Sequence, residues 1–423
     1  MRSQIIIALL LAGFGCRNGN PISSNIRPMT LTVEDVNCTE VWLKISVPSA
    51  NNETVTILRD TTVIDTIRMK TADTTIVDVN VLPSHTYTYT LAMAGVKSVT
   101  AQAKTMDTTS HAFTWTTYTL GDGSINCYLY DVTIISDTLV YAVGQIYAGG
   151  SVYNLAKWNG QVWQLLQIQF LYFCNQNATF PFPTQAVWAL NDTDVWITSG
   201  SQLVRWNGRN QYPPQCLPIS VFKLWGENSN SIYAVGYGGE IANYDGTTWT
   251  QISSGTNIGF CDIWGANNTQ TNQTEILAIA TNYPTTINMK IVELTGTTAA
   301  SVDGTGLSGA ISGVWFIPNR CYYIAGAGVG YKHSLQDSGP WSLYPRSGIT
   351  SYYSTSVHGN DVNDVFVVGV DGDFQHFNGV TWKDYRDQTY LANGSFGCVA
   401  VNGNFVVAVG SNSPYAAITI GRR

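Results

Sequence analysis

The chain has 423 residues, of which 44% are hydrophobic and only 12% charged, with a formal net charge of −7. That length exceeds one ordinary domain and supports a sizeable core. The acidic balance offers no basic excess to collect phosphates, so nucleic-acid binding is excluded, and the many aromatic residues with so few charges exclude disorder. Thr, Val and aromatic residues suit half-buried pleated strands, while Gly and Asn supply turns, so the fold class is all-β.

The first element is a targeting segment. Arg2 precedes an apolar run from Ile5 to Ala12 and then small residues up to Cys16, the layout of a secretory signal peptide, assigned here to residues 1–15. The run is too short to span a bilayer. Gly13-Phe14-Gly15-Cys16 resembles the lipobox of bacterial lipoproteins, which implies acylation of Cys16 and a lipid-anchored place at the bacterial outer membrane or cell surface. Plain secretion is the alternative. Residues 16–28, rich in Asn and Ser, read as a tether.

From residue 29 to 106 the apolar residues alternate, as in Leu31 and Val33, Val41, Leu43, Ile45 and Val47, Val55 and Ile57, and Val77, Val79 and Val81. Short runs of period two bounded by turn residues read as the strands of a β-sandwich. Leu82-Pro83-Ser84-His85-Thr86-Tyr87 resembles the corresponding run of fibronectin type III domains, which implies that the Tyr87 hydroxyl anchors the preceding loop. His85 reads as a loop residue, since no other His or carboxylate cluster accompanies it.

Residues 111–423 repeat. One phrase is Tyr141-Ala142-Val143-Gly144, with copies ending at Gly236, Gly326, Gly369 and Gly410, a divergent copy ahead of Gly200 and a weak one at Ile276–Ile279. It follows a short apolar strand, as in Leu224-Trp225-Gly226 and Ile263-Trp264-Gly265, and often precedes an aromatic residue with Asn-Gly or Asp-Gly, at Asn159, Asn207, Asp245 and Asn378. These dipeptides predict two-residue turns with positive φ at both positions. Seven cores about 40 to 45 residues apart, four strands each, predict a seven-bladed β-propeller. The seventh lacks a fourth strand before Arg423, and the alternating segment around Trp115 is the expected N-terminal strand that closes the ring. Trp188, Trp225, Trp264 and Trp315 recur and so read as packing between blades, and His358 as a repeat position filled differently. The whole layout resembles bacterial surface lipoproteins in which a fibronectin type III-like module precedes a seven-bladed propeller. Some similar chains carry a glucosyltransferase label, and no residues here match that chemistry.

Five His, no Gly-x-Ser-x-Gly elbow and no His-Glu-x-x-His leave no catalytic set to nominate, and neither a metal nor a cofactor is expected. Asp371-Gly372-Asp373 falls on a tight turn, and Ser334–Trp341 matches the sialidase Asp box imperfectly. The seven cysteines after Cys16 include no Cys-x-x-Cys pair; they read mainly as buried unpaired thiols, although an oxidising compartment could join Cys174 to Cys216, both in irregular connections. Candidate contact residues are Phe170, Tyr172, Phe173, Phe180 and Phe182 in the insertion 166–184, with Arg209 and Tyr212 nearby, because loops on a rigid scaffold often carry binding. The expected function is a monomeric, non-enzymatic cell-surface or periplasm-facing lipoprotein that binds a protein or glycan through propeller loops. The alternative is a polysaccharide-active enzyme, a glycosidase or glycosyltransferase, whose carboxylates would meet across the ring. Ligand identity, membrane leaflet, disulfide pairing and any such convergence are open at this level.

Overall fold

The computed structural model describes residues 27–48, 52–282, 288–344, 349–350 and 352–423. The signal peptide, Cys16 and nearly all of the tether lie outside the described residues. Two compact units are present. One comprises the chain up to Glu34, Trp42–Asp78 and Thr86–Ala103; the other comprises Lys104–Arg423 with Asp35–Val41 and Val79–His85.

The first unit is built on strands β1 (Thr30–Val36), β2 (Val41–Ser46), β3 (Thr54–Arg59), β4 (Thr62–Arg68), β5 (Asp73–Asp78), β6 (Thr86–Met93) and β7 (Val96–Lys104). They form a three-stranded sheet, β1-β2-β5, and a four-stranded sheet, β4-β3-β6-β7. Alternation buries Leu43 and Ile45 on β2, Val55 and Ile57 on β3, and Tyr89 and Leu91 on β6. The Tyr89 hydroxyl donates to Asp78 Oδ2 at 2.9 Å, and Arg59 closes on the same carboxylate at 2.8 Å. Tyr87 shares this face of β6 and is shallower, with the Arg59 guanidinium 5.4 Å from its ring centre.

The second unit holds seven four-stranded antiparallel sheets, numbered 1 to 7 over 128–166, 186–216, 221–252, 260–302, 311–344, 354–384 and 394–422. The fourth strand of sheet 7 is β8 (Thr114–Leu120), which lies upstream of all the others and pairs with Tyr415–Arg422, Trp115 opposite Gly421. The segment around Trp115 therefore closes the last sheet, as its alternation predicts. First strands of neighbouring sheets lie side by side all the way round, sheet 7 against sheet 1 included. Each gap between neighbours is filled by its own apolar cluster. No sheet could bury both faces alone, which is why the unit needs a closed ring.

Steric requirements at this ring explain the repeated phrases. A Cβ at Gly236 would sit 1.7 Å from the Ser220 carbonyl oxygen, and one at Gly410 would sit 1.9 Å from that of Ser395; the second strand ends where the first crosses over it, and only glycine fits. Likewise a Cβ at Gly265 would lie 2.5 Å from the Trp225 ring of the preceding sheet. Trp-Gly is thus a pair of halves from adjacent sheets. His358 pairs with Phe366 as Trp315 pairs with Tyr323, so it occupies the Trp position of sheet 6.

The expected two-residue turns are corrected. Trp158 pairs with Trp163, Tyr244 with Trp249 and Phe377 with Trp382, leaving four-residue loops. In each, the Asn159, Asp245 or Asn378 side-chain oxygen accepts two backbone N–H groups, and only the following glycine has positive φ. A side chain that can satisfy two donors stabilises the wider loop. Both positions are left-handed instead at Gly149-Gly150, between paired Ala148 and Ser151.

The seam of the ring carries a polar clasp. His111 Nδ1 lies 2.8 Å from His376 Nδ1, and His376 Nε2 lies 2.8 Å from Asp364 Oδ1. Arg423 donates to both Asp364 oxygens, at 3.1 and 2.8 Å.

Candidate functional site

Two features stand out from the repeating framework. The first lies on the ring axis. First strands carry a bulge near their start, where register breaks between Val221 and Lys223, Phe260 and Asp262, Ser354 and Ser356, and Phe396 and Cys398. In sheet 1 the break lies opposite Leu129 and Asp131. A bulge re-aims the side chain that follows it. Asp131, Lys223, Asp262, Ser356 and Cys398 accordingly line one end of an axial cavity of about 210 Å³, whose walls include Trp188, Trp264 and His358.

Lys223 Nζ donates to Asp131 Oδ1 at 2.5 Å and lies 3.3 Å from Cys398 Sγ, whose thiol donates to the same oxygen at 3.2 Å. Burial opposes charge on Lys223, yet the Asp131 carboxylate holds its pKa well above the usual lysine value. Burial pushes Asp262 up to about 6 against the pull of Lys223, and pushes the Cys398 thiol up to about 12. Burial and then Lys223 bring His358 down to about 3, so it is neutral at physiological pH.

The Asp131 and Asp262 carboxylates both line this cavity, and each serves a neighbouring sheet. Asp131 Oδ2 accepts the Val187 N–H at 3.0 Å, Asp262 Oδ2 accepts that of Val314 at 2.9 Å, and Ser356 Oγ accepts that of Val399 at 3.3 Å. Chemically this is a hydrogen-bonded hub that ties the first strands together.

The second feature is the insertion between sheets 1 and 2. Phe170–Leu171 pairs with Thr179–Phe180 as a small hairpin. Buried Asn154 holds its root, bonding Ile168 and Phe182 backbone groups at 2.7 to 2.8 Å. Gln202 and Gln211 act like extra strand residues, each donating to and accepting from the backbone of Leu171 and Gln169 respectively. Cys174 is disulfide-bonded to Cys216, with Cα atoms 6.0 Å apart. The reading of unpaired thiols is therefore corrected for this pair, because the hairpin carries Cys174 back to the fourth strand of sheet 2; Cys38, Cys127, Cys261, Cys321 and Cys398 are free.

The candidate contact residues separate by depth. Phe170 is fully buried in the cluster between sheets 1 and 2 and is a core residue, which corrects its expected contact role. Phe182 is half-buried against the same cluster. Tyr172, Phe173 and Phe180 are exposed at 54%, 56% and 43% and lie against one another or Phe182 at ring separations of 5.1 to 5.7 Å. Tyr212 and Arg209 are exposed on the far turn of sheet 2.

No protein-family model matches the chain, and no curated protein matches its sequence. Its structure is similar to that of YCF48 bound to D1 peptide (14% identity, TM-score 0.54), covering 73% of this chain and 97% of that one. It is also similar to a catalytically inactive virginiamycin B lyase from Staphylococcus aureus with quinupristin (10% identity, TM-score 0.52; 73% and 100% covered). YCF48 from Cyanidioschyzon merolae matches at 13% identity and TM-score 0.50, covering 71% and 98%. These likenesses place the ring among β-propeller-like folds.

Proposed function

We propose that this chain is a lipid-anchored binding protein of the bacterial surface. In this reading Cys16 bears the lipid, residues 29–106 are a fibronectin type III-like spacer, and residues 111–423 are a seven-bladed propeller that presents the hairpin to a protein or glycan. The paired sheets of three and four strands support the spacer, and the seven sheets with side-by-side first strands support the blade count. A disulfide within the chain fits an oxidising, extracytoplasmic place. The observation that carries the binding role is that Tyr172, Phe173 and Phe180 are exposed on a hairpin fixed by a disulfide and two glutamines. Aromatic side chains held rigid in water lose little entropy when a ligand covers them, and such residues dominate binding energetics. The structure of YCF48 with a peptide gives a precedent for a propeller-like ring as a docking platform. The test is to replace residues 171–179 by a short Gly-Ser linker and screen peptide and glycan arrays alongside the parent chain. Loss of the parent's binding, with an unchanged melting temperature, is expected; unchanged binding would remove the hairpin from the site.

A further inference from the structure

The two ends of the ring differ in kind. In an antiparallel four-stranded sheet the first strand starts, the second and third strands are joined, and the fourth strand leaves for the next sheet, all at one end. The turns between first and second and between third and fourth strands lie at the other. At that second end the same device recurs, an Asn or Asp whose side chain accepts two N–H groups, at Asn159, Asn207, Asp245 and Asn378. A residue used by most sheets answers a need of every sheet. The connections at the first end share no such device, and they collect the aromatic surface. Among the described residues of this unit nine aromatics are exposed. Tyr172, Phe173 and Phe180 of the hairpin are at the first end, as are Tyr130 and Tyr237, on the bulge of sheet 1 and the inner turn of sheet 3, and Tyr390 and Tyr415 beside sheet 7. Only Tyr212, at the opposite end, and Tyr344, on an outermost strand, stand apart.

Among the described residues, carboxylates outnumber cations in the connections of this end: Asp122, Glu240, Asp303, Asp371 and Asp387 against Arg386, with Lys290 on a third strand and Lys223 drawn into the axial cavity. The Arg386 guanidinium is already over the Tyr352 and Tyr390 rings, 4.3 and 5.0 Å from their centres. Hydroxyl and backbone donors at Ser124 and Thr305 hold Asp122 and Asp303 below the usual carboxylate range, so both are ionised at neutral pH.

We propose that the face formed at this end by Tyr130, Tyr237, Tyr390 and Tyr415, with the hairpin at its margin, is the docking surface, and that its partner is a polypeptide segment rich in Lys or Arg and in apolar side chains. The proposal rests on the binding reading above and extends it to a face and a partner class. Rings take up apolar groups or cations, carboxylates select positive charge, and spacing over several sheets favours an extended chain.

The experiment uses the full chain and three labelled peptide pools, basic-apolar, neutral-apolar and acidic-apolar, with neutral oligosaccharides as a fourth probe. The basic pool is expected to bind, more weakly as salt rises. Tyr130→Ala with Tyr237→Ala should weaken that binding roughly tenfold or more, whereas Val162→Thr with Val380→Thr at the opposite end should leave it within about twofold. Preference for acidic peptides, neutral peptides or oligosaccharides would overturn the partner class. Equal loss from the opposite-end pair would overturn the face. If replacing the hairpin abolishes binding and the two tyrosine substitutions do nothing, the hairpin reading stands and this extension fails; no binding to any probe sinks both.

Discussion

At the scale of single residues, the axial hub is where one atom matters most. Removing the Asp131 carboxylate strands the Lys223 ammonium in the cavity wall, and breaking a buried pair from one side costs about 3 to 5 kcal/mol. Asp131→Ala should lower stability by about that much in urea titration, while Asp131→Leu with Lys223→Met should cost clearly less; equal losses would mean the pair is not coupled. The hub and the seam clasp together set a pH response. His358 and His111 have folded pKa values of about 3 and about 4, below the unfolded 6.5. Burial is the main cause in both, aided by Lys223 for His358 and by His376, Lys383 and Arg423 for His111, with Asp364 opposing. Their contribution is complete above pH 6.5 and lost as pH falls through those folded values. Asp262, raised from 3.8 to about 6, runs the other way: its contribution is complete below 3.8 and lost as pH rises through 6. Asp262→Asn should therefore steepen the fall in melting temperature from pH 6.5 to pH 4, and His358→Phe should flatten it. Calorimetry across that window decides.

At the scale of elements, the hairpin is an appendage whose order comes from Asn154 at its root, from Gln202 and Gln211, and from the disulfide. A crosslink over this separation is worth at most about 4 kcal/mol in loop entropy, and here it acts locally. Cys174→Ser with Cys216→Ser should leave the melting temperature of the ring nearly unchanged but speed amide exchange at Leu171 and Tyr172, read by mass spectrometry. Protection equal to that of the parent would show that Gln202 and Gln211 suffice. The same elements show what the residues reveal when read in order. Repeated phrases exposed the sheets and the closing strand because they answer steric demands common to all copies. The Asn-Gly loops were misjudged because two-residue and four-residue turns share a dipeptide and differ only in where the Asn side chain bonds. The axial hub stayed hidden because a bulge breaks the alternation by which inward positions are recognised. Its signal was present: Lys223, Asp262 and Ser356 each stand two places before the Trp or His of their repeat, and each differs from its counterparts. The burial of Phe170 beside exposed Tyr172 was equally unreadable, since only the pairing of the hairpin assigns their depths.

At the scale of the molecule, the ring depends on β8. Its Trp115 ring stacks over Gly421 and lies 4.4 Å from Phe374 and 4.9 Å from Tyr385, joining sheets 6 and 7. A chain beginning at Asp122 should lose cooperative melting, and a peptide of residues 110–121 added in trans should restore it in proportion to its concentration. Melting that is unaffected by the truncation would refute the seam as the element that completes the fold.

Because one sheet joins Thr114–Leu120 to a strand some three hundred positions later, Tyr415–Arg422, synthesis itself imposes an order. β8 leaves the ribosome long before its mate. The nascent ring therefore stays unsealed until Tyr415–Arg422 has been made. The ring shuts only once Tyr415–Arg422 reaches β8, so any product that stops before that strand is left with two raw edges for proteases to find.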